Sequence, residues 1–457
     1  MNNFSPIKKP FFTKAQIIVF LGVLMFFAIS LPAQSDTLFL TKDQALIMAL
    51  ENNPNMQIAS LEMTRAEARY NETRGNLLPS LNATGSYTRN LKKQVIFFPE
   101  EMAAMFGGTT ALEVGSDNSY MGGLQFALPV YNPAVYAGIE AARTEQRIAE
   151  QNYKSQEIEL TSGVQSAWFN ALLAKESMEV IQQSFSNAQQ NLENIRKMHS
   201  QGLVAEYDLI RAQVQTENIR PDVLQSQNRY EQSLNLLKVL LGIEDNQSIA
   251  LRGNLLESSE EMLLDFNIVD AERSLFNNPD YINLGMQRDL IMNQAQSVRA
   301  SGLPSVTAVS NYMYLTEAND FRFNDYNWVN TASMGLQISI PIFRGFTNRN
   351  QVKQLEIGAK QIALQREYMK DNLSIELSNV LKSMELALEK AVHARSNVEL
   401  AQHGYNISRI RYDSGQGTLL EINDSDVALT RARFNLLQAK HELLQAKVQY
   451  DRFTGKN

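Results

Sequence analysis

Residues Gly123–Asn132, with the sequence Gly-Leu-Gln-Phe-Ala-Leu-Pro-Val-Tyr-Asn, contain both a strand pattern and the start of a helix. Apolar side chains occupy every second position of the first half, namely Leu124, Phe126 and Leu128. This period of two predicts a half-buried strand. Pro129 has no N–H to donate to a neighbouring strand, so we expect regular pairing to end there. Asn132-Pro133 then combines an N-cap with a proline at the first helical position, which predicts a helix.

The same strand-to-helix pattern occurs a second time in the sequence. Gly335–Pro341 repeats it 212 positions later, so Pro341 is the second predicted strand-to-helix transition. Asn53-Pro54 likewise returns as Asn278-Pro279, and Leu78-Pro79-Ser80 returns as Leu303-Pro304-Ser305, both displaced by 225 positions. Such an ordered recurrence predicts an internal two-fold sequence repeat.

Each repeat is predicted to contain a helix, two strands, a long helix and a return helix. The first repeat, 35–241, is expected to hold a helix from Asn53-Pro54, strands at about 80–90 and 119–128, a long helix at 133–200 and a return helix at 204–241. After an irregular link at 242–269, the second repeat, 270–457, is expected to hold a helix at 279–302, strands at about 305–315 and 331–340, a long helix at 347–412 and a return helix at 418–453. The short helices should stack end to end on the return helices.

The two long helices would each measure about 100 Å, which exceeds what a globular core needs. Small and apolar residues recur along them with a period of seven, which predicts coiled-coil packing. The seam residues are Val164, Ala167, Ala171, Ala174, Met178 and Ile181 in the first helix, and Leu373, Leu377, Val380, Met384, Ala387, Ala391, Ala394, Val398 and Ala401 in the second.

Composition excludes several classes of site. The net charge is −7 with both signs interspersed, so a basic nucleic-acid surface is not indicated. Cysteine is absent, which excludes disulfides, thiolate metal sites and an N-terminal lipid-bearing cysteine. His441-Glu442 resembles half of a zinc-protease motif, but Gln445 stands where the second histidine would be. The sequence therefore predicts no catalytic residues, no cofactor and no metal.

The first 34 residues have the pattern of a secretory signal. A positive segment with Lys8, Lys9 and Lys14 precedes an apolar run from Ala15 to Leu31, and a small-residue cleavage site lies near Ala33. A single membrane anchor is the alternative, because the run is long for a signal core. In the mature chain no other apolar run is long enough for a membrane helix.

Four strands per chain cannot close a membrane barrel, and open edges are not tolerated in lipid. A dimer would supply eight strands, with an interior filled by side chains, whereas a trimer would supply twelve and leave a lumen. Helices that continue from the strands would extend this lumen away from the membrane. An α+β membrane protein with an outer-membrane pore and a periplasmic tunnel is the predicted fold. A periplasmic coiled-coil adaptor or structural protein is the alternative, although it does not account for the four alternating strands.

At these positions the chain resembles the TolC-type outer-membrane channels of drug efflux and type I secretion. The resemblance rests on the repeated Asn-Pro and Leu-Pro-Ser pieces, on Leu128-Pro129-Val130 and Ile340–Phe343, and on the turns Gly202–Ala205 and Thr418–Glu421. It implies a homotrimer with a 12-stranded β-barrel, embedded in outer-membrane lipid, and a helical coiled-coil tunnel closed at its periplasmic tip. It also implies a periplasmic adaptor and an inner-membrane pump, of the proton-driven RND or ATP-driven ABC type, as partners.

The resemblance also implies roles for residues at the tip. Glu421 and Asp424 match the acidic rings of the periplasmic entrance, and Asp208 and Tyr412 match members of the network that holds it shut. The usual arginine of that network falls at Gly417, so closure would use other contacts. The turns expected to dock the adaptor contain Gly202, Leu203, Val204, Gly415 and Thr418. For Glu421 and Asp424 a solvated charged helix face is the alternative.

Overall fold

The computed structural model describes residues 37–103, 105, 107–244, 246–264 and 275–455, so the predicted signal segment and residues 265–269 of the predicted link lie outside the described residues. Two very long helices and one four-stranded sheet dominate the structure. The helices of ten or more residues are α1 (Lys42–Asn52), α2 (Pro54–Gly75), α3 (Pro133–Ser200), α4 (Glu206–Leu241), α5 (Leu255–Leu264), α6 (Pro279–Ala300), α7 (Thr347–Asp413) and α8 (Leu419–Thr454). The strands are β1 (Leu38–Leu40), β2 (Ser80–Arg89), β3 (Gln94–Phe97), β4 (Ala111–Val114), β5 (Asn118–Tyr131), β6 (Ile249–Leu251), β7 (Ser305–Ala318) and β8 (Val329–Ser339).

The main sheet is antiparallel with the order β2-β5-β7-β8. Residues opposite one another lie on the same face, and the register separates apolar from polar side chains. One face carries Leu81, Leu124, Phe126, Tyr312, Leu336 and Ile338. The other carries Asn82, Gln125, Asn311 and Gln337. The apolar face is exposed in a single copy, with Leu336 70% and Ile338 63% accessible.

The expected end of pairing at Pro129 is wrong. Pro129 lies inside β5 opposite Thr307, and the strand continues to Tyr131 across an irregularity between Pro129 and Tyr131. A β-bulge leaves one position of a strand without a partner in the hydrogen-bonded ladder. A residue that lacks an N–H can therefore be accommodated next to it without ending the strand. Helix α3 then begins directly at Pro133, capped by the Asn132 side chain. At the second transition, β8 ends at Ser339, two residues before Pro341, and α7 begins at Thr347.

Two small sheets were not predicted. Strands β1 and β6 pair in parallel, and β3 and β4 form an antiparallel hairpin within the loop between β2 and β5. Helix α5 was also missed, because the segment after position 242 was expected to be irregular. Strands of three or four residues are too short for alternation to be recognised in the sequence.

The largest buried cluster surrounds the middle of α3. Trp168 is 1% exposed and packs with residues of α1, α4, β6 and α5, including Ala45, Leu241, Leu251 and Leu255. Along the two long helices the predicted seam positions Val164, Ala167, Ala171, Leu373, Leu377, Met384, Ala387 and Ala394 are buried. Burial of these seams explains how helices of such length are stabilised.

In the part of the chain described, no helix combines the length and the apolar character that crossing a membrane requires.

Short helices stack end to end on the return helices through two joints of the same construction. Asn53 caps α2 with its side-chain oxygen and donates from Nδ2 to the Leu240 carbonyl at 2.8 Å. Asn278 caps α6 and donates to the Phe453 carbonyl at 3.2 Å. The return helices end at Gly242 and Gly455, whose φ angles are 66° and 68°. A Cβ at Gly242 would lie 2.6 Å from the Asn52 carbonyl oxygen, so only glycine fits this joint.

Candidate functional site at the helix tips

Two tight turns form the end of the molecule farthest from the main sheet, which we call the tip. The first joins α3 to α4, and the second joins α7 to α8. Each long helix ends in a left-handed glycine, Gly202 or Gly415, both with φ of 73°. The residue after each glycine bonds back to the last helical turn, Leu203 to the Met198 carbonyl and Gln416 to the Arg411 carbonyl. Each of the two turn glycines thus takes the left-handed conformation that ends a helix, a position where glycine is preferred.

The second turn fixes the position of Glu421. Thr418 is the N-cap of α8, and its hydroxyl accepts a hydrogen bond from the Glu421 backbone N–H at 3.3 Å. At the equivalent place in the first turn, Ala205 provides no side-chain cap. Glu421 lies in the first turn of α8 and Asp208 in the first turn of α4, where the positive end of the helix dipole stabilises carboxylates.

A guanidinium lies beside Glu421, although glycine occupies position 417, where the resemblance implied an arginine. Arg411 Nη2 is 3.7 Å from Glu421 Oε2, and the same nitrogen donates to the Gln416 carbonyl at 3.2 Å. Gly417 itself has little room for a side chain, because a Cβ there would lie 3.0 Å from the Tyr412 nitrogen. The positive charge at this turn thus comes from the end of α7 and pairs with one of the two predicted entrance carboxylates.

Tyr412 and Asp208 come together, but not through a hydrogen bond between their side chains. Tyr412 is half-buried against the small cluster of Ile195, Ala212 and Leu419, and its hydroxyl donates to Met198 Sδ at 4.0 Å. Burial, and secondarily the negative charge of Asp208, raises the pKa of the Tyr412 hydroxyl above its ordinary value. Asp424 is exposed, whereas Glu421 is half-buried.

A group of polar side chains joins the two helical hairpins just above the turns. The Asp426 carboxylate of α8 accepts hydrogen bonds from Ser184 Oγ and Asn187 Nδ2 of α3, both at 2.9 Å. One turn closer to the tip, Asn191 Nδ2 donates to Asn423 Oδ1 at 3.5 Å. We call Ser184, Asn187, Asn191, Asn423 and Asp426 the polar clamp. It was missed in the sequence because Ser184 and Asp426 are 242 positions apart.

The polar clamp borders a small cavity of about 50 Å³ between the hairpins. Tyr405, Arg409, Tyr412 and Asp413 of α7 face the same space. Burial, and then the charge of Asp426, raises the pKa of the Tyr405 hydroxyl. The polar clamp consists of one carboxylate, Asp426, and neutral amides and a hydroxyl, and water can replace these hydrogen bonds when the hairpins separate. The arrangement suits a contact that opens and closes.

The half zinc-protease motif has a different role. His441 Nε2 lies 2.7 Å from Asn170 Oδ1 and 3.1 Å from Gln445 Nε2, so the histidine joins α8 to α3. Burial lowers the pKa of His441. Within the described ranges, no group of three or more His, Asp or Glu residues could hold a metal ion.

Comparison with known proteins identifies the family. The family model described as outer membrane efflux protein matches residues 45–243 and 271–456. Among curated proteins, the outer membrane protein TolC of Vibrio cholerae serotype O1 is 22% identical over 427 residues, covering 89% of either chain. The cation efflux system protein CusC of Escherichia coli K12 is 25% identical over 414 residues, covering 86% of this chain and 81% of CusC.

Solved structures show the same fold. A crystal structure of CusC aligns with a TM-score of 0.71 and 21% identity, over 94% of this chain and 96% of CusC. The CmeC outer membrane channel of Campylobacter jejuni aligns with a TM-score of 0.72 and 16% identity, over 91% and 85% of the two chains. With most of its length matched by the family model, the chain belongs to the outer membrane efflux protein family and is an outer-membrane protein.

Proposed function

We propose that this chain forms the exit duct of a tripartite efflux or type I secretion system, acting as a homotrimer and catalysing no reaction. One observation carries the proposal: an open-edged sheet with one apolar and one polar face leads into two helices about 100 Å long, directly from β5 into α3 and through the short segment 340–346 from β8 into α7. The apolar face suits lipid and the polar face suits an aqueous lumen. Three copies would supply twelve strands, enough for a barrel with a channel.

The tip is the proposed entrance from the periplasm. Asp424 and Glu421 of three copies would surround the opening, with Arg411 neutralising part of their charge. The turns with Gly202, Leu203 and Val204, and with Gly415 and Thr418, are the proposed docking surface for a periplasmic adaptor. An inner-membrane pump of the RND or ABC type would deliver the cargo. An adaptor that binds the open tip more tightly than the closed tip would shift the equilibrium towards opening.

Labelling of single cysteines tests the pore, since the native chain has none. A membrane-impermeant thiol reagent should modify Gln125→Cys, on the polar face, and spare Phe126→Cys, on the apolar face. Crosslinking of lysines in mild detergent should stop at three chains. Equal labelling of the two positions, or a well-folded monomer as the main species, would contradict the proposal.

A further inference from the structure

The hairpin formed by β3 and β4 projects from the end of the main sheet opposite to the long helices. Every residue of its two strands is exposed, and beyond Phe97 the Phe98 N–H still donates to the Thr110 carbonyl at 2.9 Å. A two-stranded hairpin is only marginally stable alone in water, so packing against a partner would stabilise this one. Its exposed apolar side chains are those of Val95, Ile96, Phe97, Leu112 and Val114.

The base of the hairpin is held on the polar side of the main sheet. Ser119 and Glu317 lie opposite each other in the ladder and share the polar face with Gln125. Glu317 Oε2 accepts a hydrogen bond from the Ser116 N–H at 3.2 Å. Asn90 Nδ2 donates to the Ser116 carbonyl at 2.8 Å and lies 3.5 Å from Ser119 Oγ. The chain that leads into β5 is therefore fixed to side chains of the polar face.

Lys93 fixes the other strand of the hairpin to the same place. Its Nζ lies 3.4 Å from an Asp117 carboxylate oxygen and 3.3 Å from Asn319 Oδ1. Asn319 Oδ1 also accepts a hydrogen bond from the Asp117 N–H at 2.8 Å. Both ends of the hairpin are thus joined to the end of β7, and the direction in which the hairpin leaves the sheet is set by these contacts.

The loop between β7 and β8 turns to the opposite side. The rings of Phe323 and Tyr326 pack on Tyr120 of the apolar face, with centroid distances of 5.4 Å and 5.6 Å. Thr316 Oγ1, on the same face, donates to the Asn327 carbonyl at 2.9 Å. The two loops therefore diverge, with the β3–β4 hairpin on the polar side and the other loop on the apolar side.

We infer that the β3–β4 hairpin of each copy lies across the outer end of the lumen and packs against the same hairpin of the other two copies, which narrows the exit for large solutes. The inference rests on the proposed trimeric duct and adds a lid to it. Lipid would contact the apolar face, on the wrong side to cover this hairpin, whereas the other two copies surround the same lumen.

The length of the hairpin agrees with this placement. Twelve strands about 4.8 Å apart, tilted by about 40°, close into a barrel with a backbone radius of about 12 Å. Residues 91–97 span at most about 23 Å, nearly twice that radius. A hairpin that starts at the wall of the barrel can therefore reach its axis, where the three copies would meet.

Access from outside intact cells tests the lid. Gln125→Cys, on the polar face, is treated with a small membrane-impermeant maleimide or with a maleimide on a polyethylene glycol chain that fits an uncovered barrel. The small reagent should label all variants at one rate. The large reagent should label Q125C slowly and Q125C/F97S about tenfold faster, since a buried phenylalanine ring is worth at least that factor. Phe321→Ser, in the loop on the apolar side, is the matched control and should leave both rates unchanged.

Contact between the hairpins is tested with Phe97→Cys as the single cysteine of the full-length chain. Three equivalent thiols would lie near the axis, and a disulfide joins two of them, so mild oxidation of outer membranes should give a covalent dimer. Met334→Cys is the control, because Met334 is 89% exposed but lies on the apolar face, and it should give no dimer.

The possible results separate the lid from the trimer. Equal labelling of Q125C and Q125C/F97S by the large reagent, or the same acceleration by F321S, would overturn the lid. So would the absence of covalent dimer from F97C, or equal dimer from M334C, while a lysine-reactive crosslinker still captures three chains. If the crosslinker captures no trimer, or the small reagent labels Q125C and F126C equally, the proposed function fails together with the lid.

Discussion

Arg411 Nη2 lies 3.7 Å from Glu421 Oε2, across the turn between α7 and α8. Both side chains are about half accessible, at 53% and 42%, so the pair adds little to stability. In the proposed trimer, this pair would help to set the net charge that the three tips present to an ion at the entrance. Asp424, which is exposed and three positions from Glu421, adds a second carboxylate per copy at this turn.

Replacing Arg411 by Gln should make the pore more cation-selective, because the three Glu421 carboxylates would lose their positive neighbours. The measurement is the reversal potential in planar bilayers under a salt gradient. Arg65→Gln is the matched control, since Arg65 also pairs with a glutamate, Glu62, but lies far from the tip. An unchanged reversal potential in Arg411→Gln would place this pair outside the conducting path.

The two carboxylates should contribute unequally to selectivity. Asp424→Asn removes an exposed charge and should lower cation selectivity and the block by a trivalent cation. Glu421→Gln removes a charge that Arg411 already offsets, so its effect on the same single-channel currents should be smaller. If both substitutions together leave selectivity and block unchanged, Glu421 and Asp424 do not line the entrance, while the trimeric channel could still stand.

Loss of charge in the polar clamp should favour opening. Asp426→Asn keeps the shape but removes the charge, so the two charged hydrogen bonds from Ser184 Oγ and Asn187 Nδ2 are replaced by neutral ones in each copy. The difference between charged and neutral bonds is about 1.5 kcal/mol per copy, roughly a tenfold shift per copy in the ratio of closed to open tips. Open probability in planar bilayers should rise accordingly. Asp413→Asn, on the same cavity but exposed, should have little effect; an equal rise in both variants would show a general charge effect instead.

His441 should make the contact between α3 and α8 sensitive to acid. Burial lowers the pKa of the folded-state imidazole, so the unfolded chain takes up a proton first as the pH falls. The contribution of neutral His441 is therefore complete above its ordinary pKa of about 6.5 and is lost as the pH falls below that value. Denaturant unfolding of the wild type should lose stability between pH 7 and pH 5 more steeply than His441→Gln. Parallel curves would exclude His441 as the cause.

The alternation at Leu124, Phe126 and Leu128 was enough to predict the strand and its faces, because this part of the sheet has a mainly apolar side. The Asn-Pro pairs and terminal glycines were equally informative. They specify where helices start and end through local backbone chemistry, which a single sequence contains. Pro129 was misjudged because a missing N–H can be accommodated by a bulge as well as by the end of a strand.

The site was less predictable than the fold. Tyr412 and Asp208 were identified from resemblance alone, and the hydroxyl partner of Tyr412 proved to be Met198. Arg411 and Asp426 carry no local signal, because charged residues are common on every exposed helix face. Their partners are defined only once the hairpins pack together. The pairing of Asp426 with Ser184 is a property of tertiary structure.

Because of the joints at Asn53 and Asn278, some helical columns of the molecule are interrupted and others are continuous. Helices α3 and α7 are unbroken, whereas the columns beside them are each divided at mid-height, where a side-chain amide hydrogen-bonds one helix to the next. Bending a column at such a link breaks no backbone hydrogen bond of either helix. If the tip opens as proposed, each column can therefore bend at mid-height while α3 and α7 remain continuous.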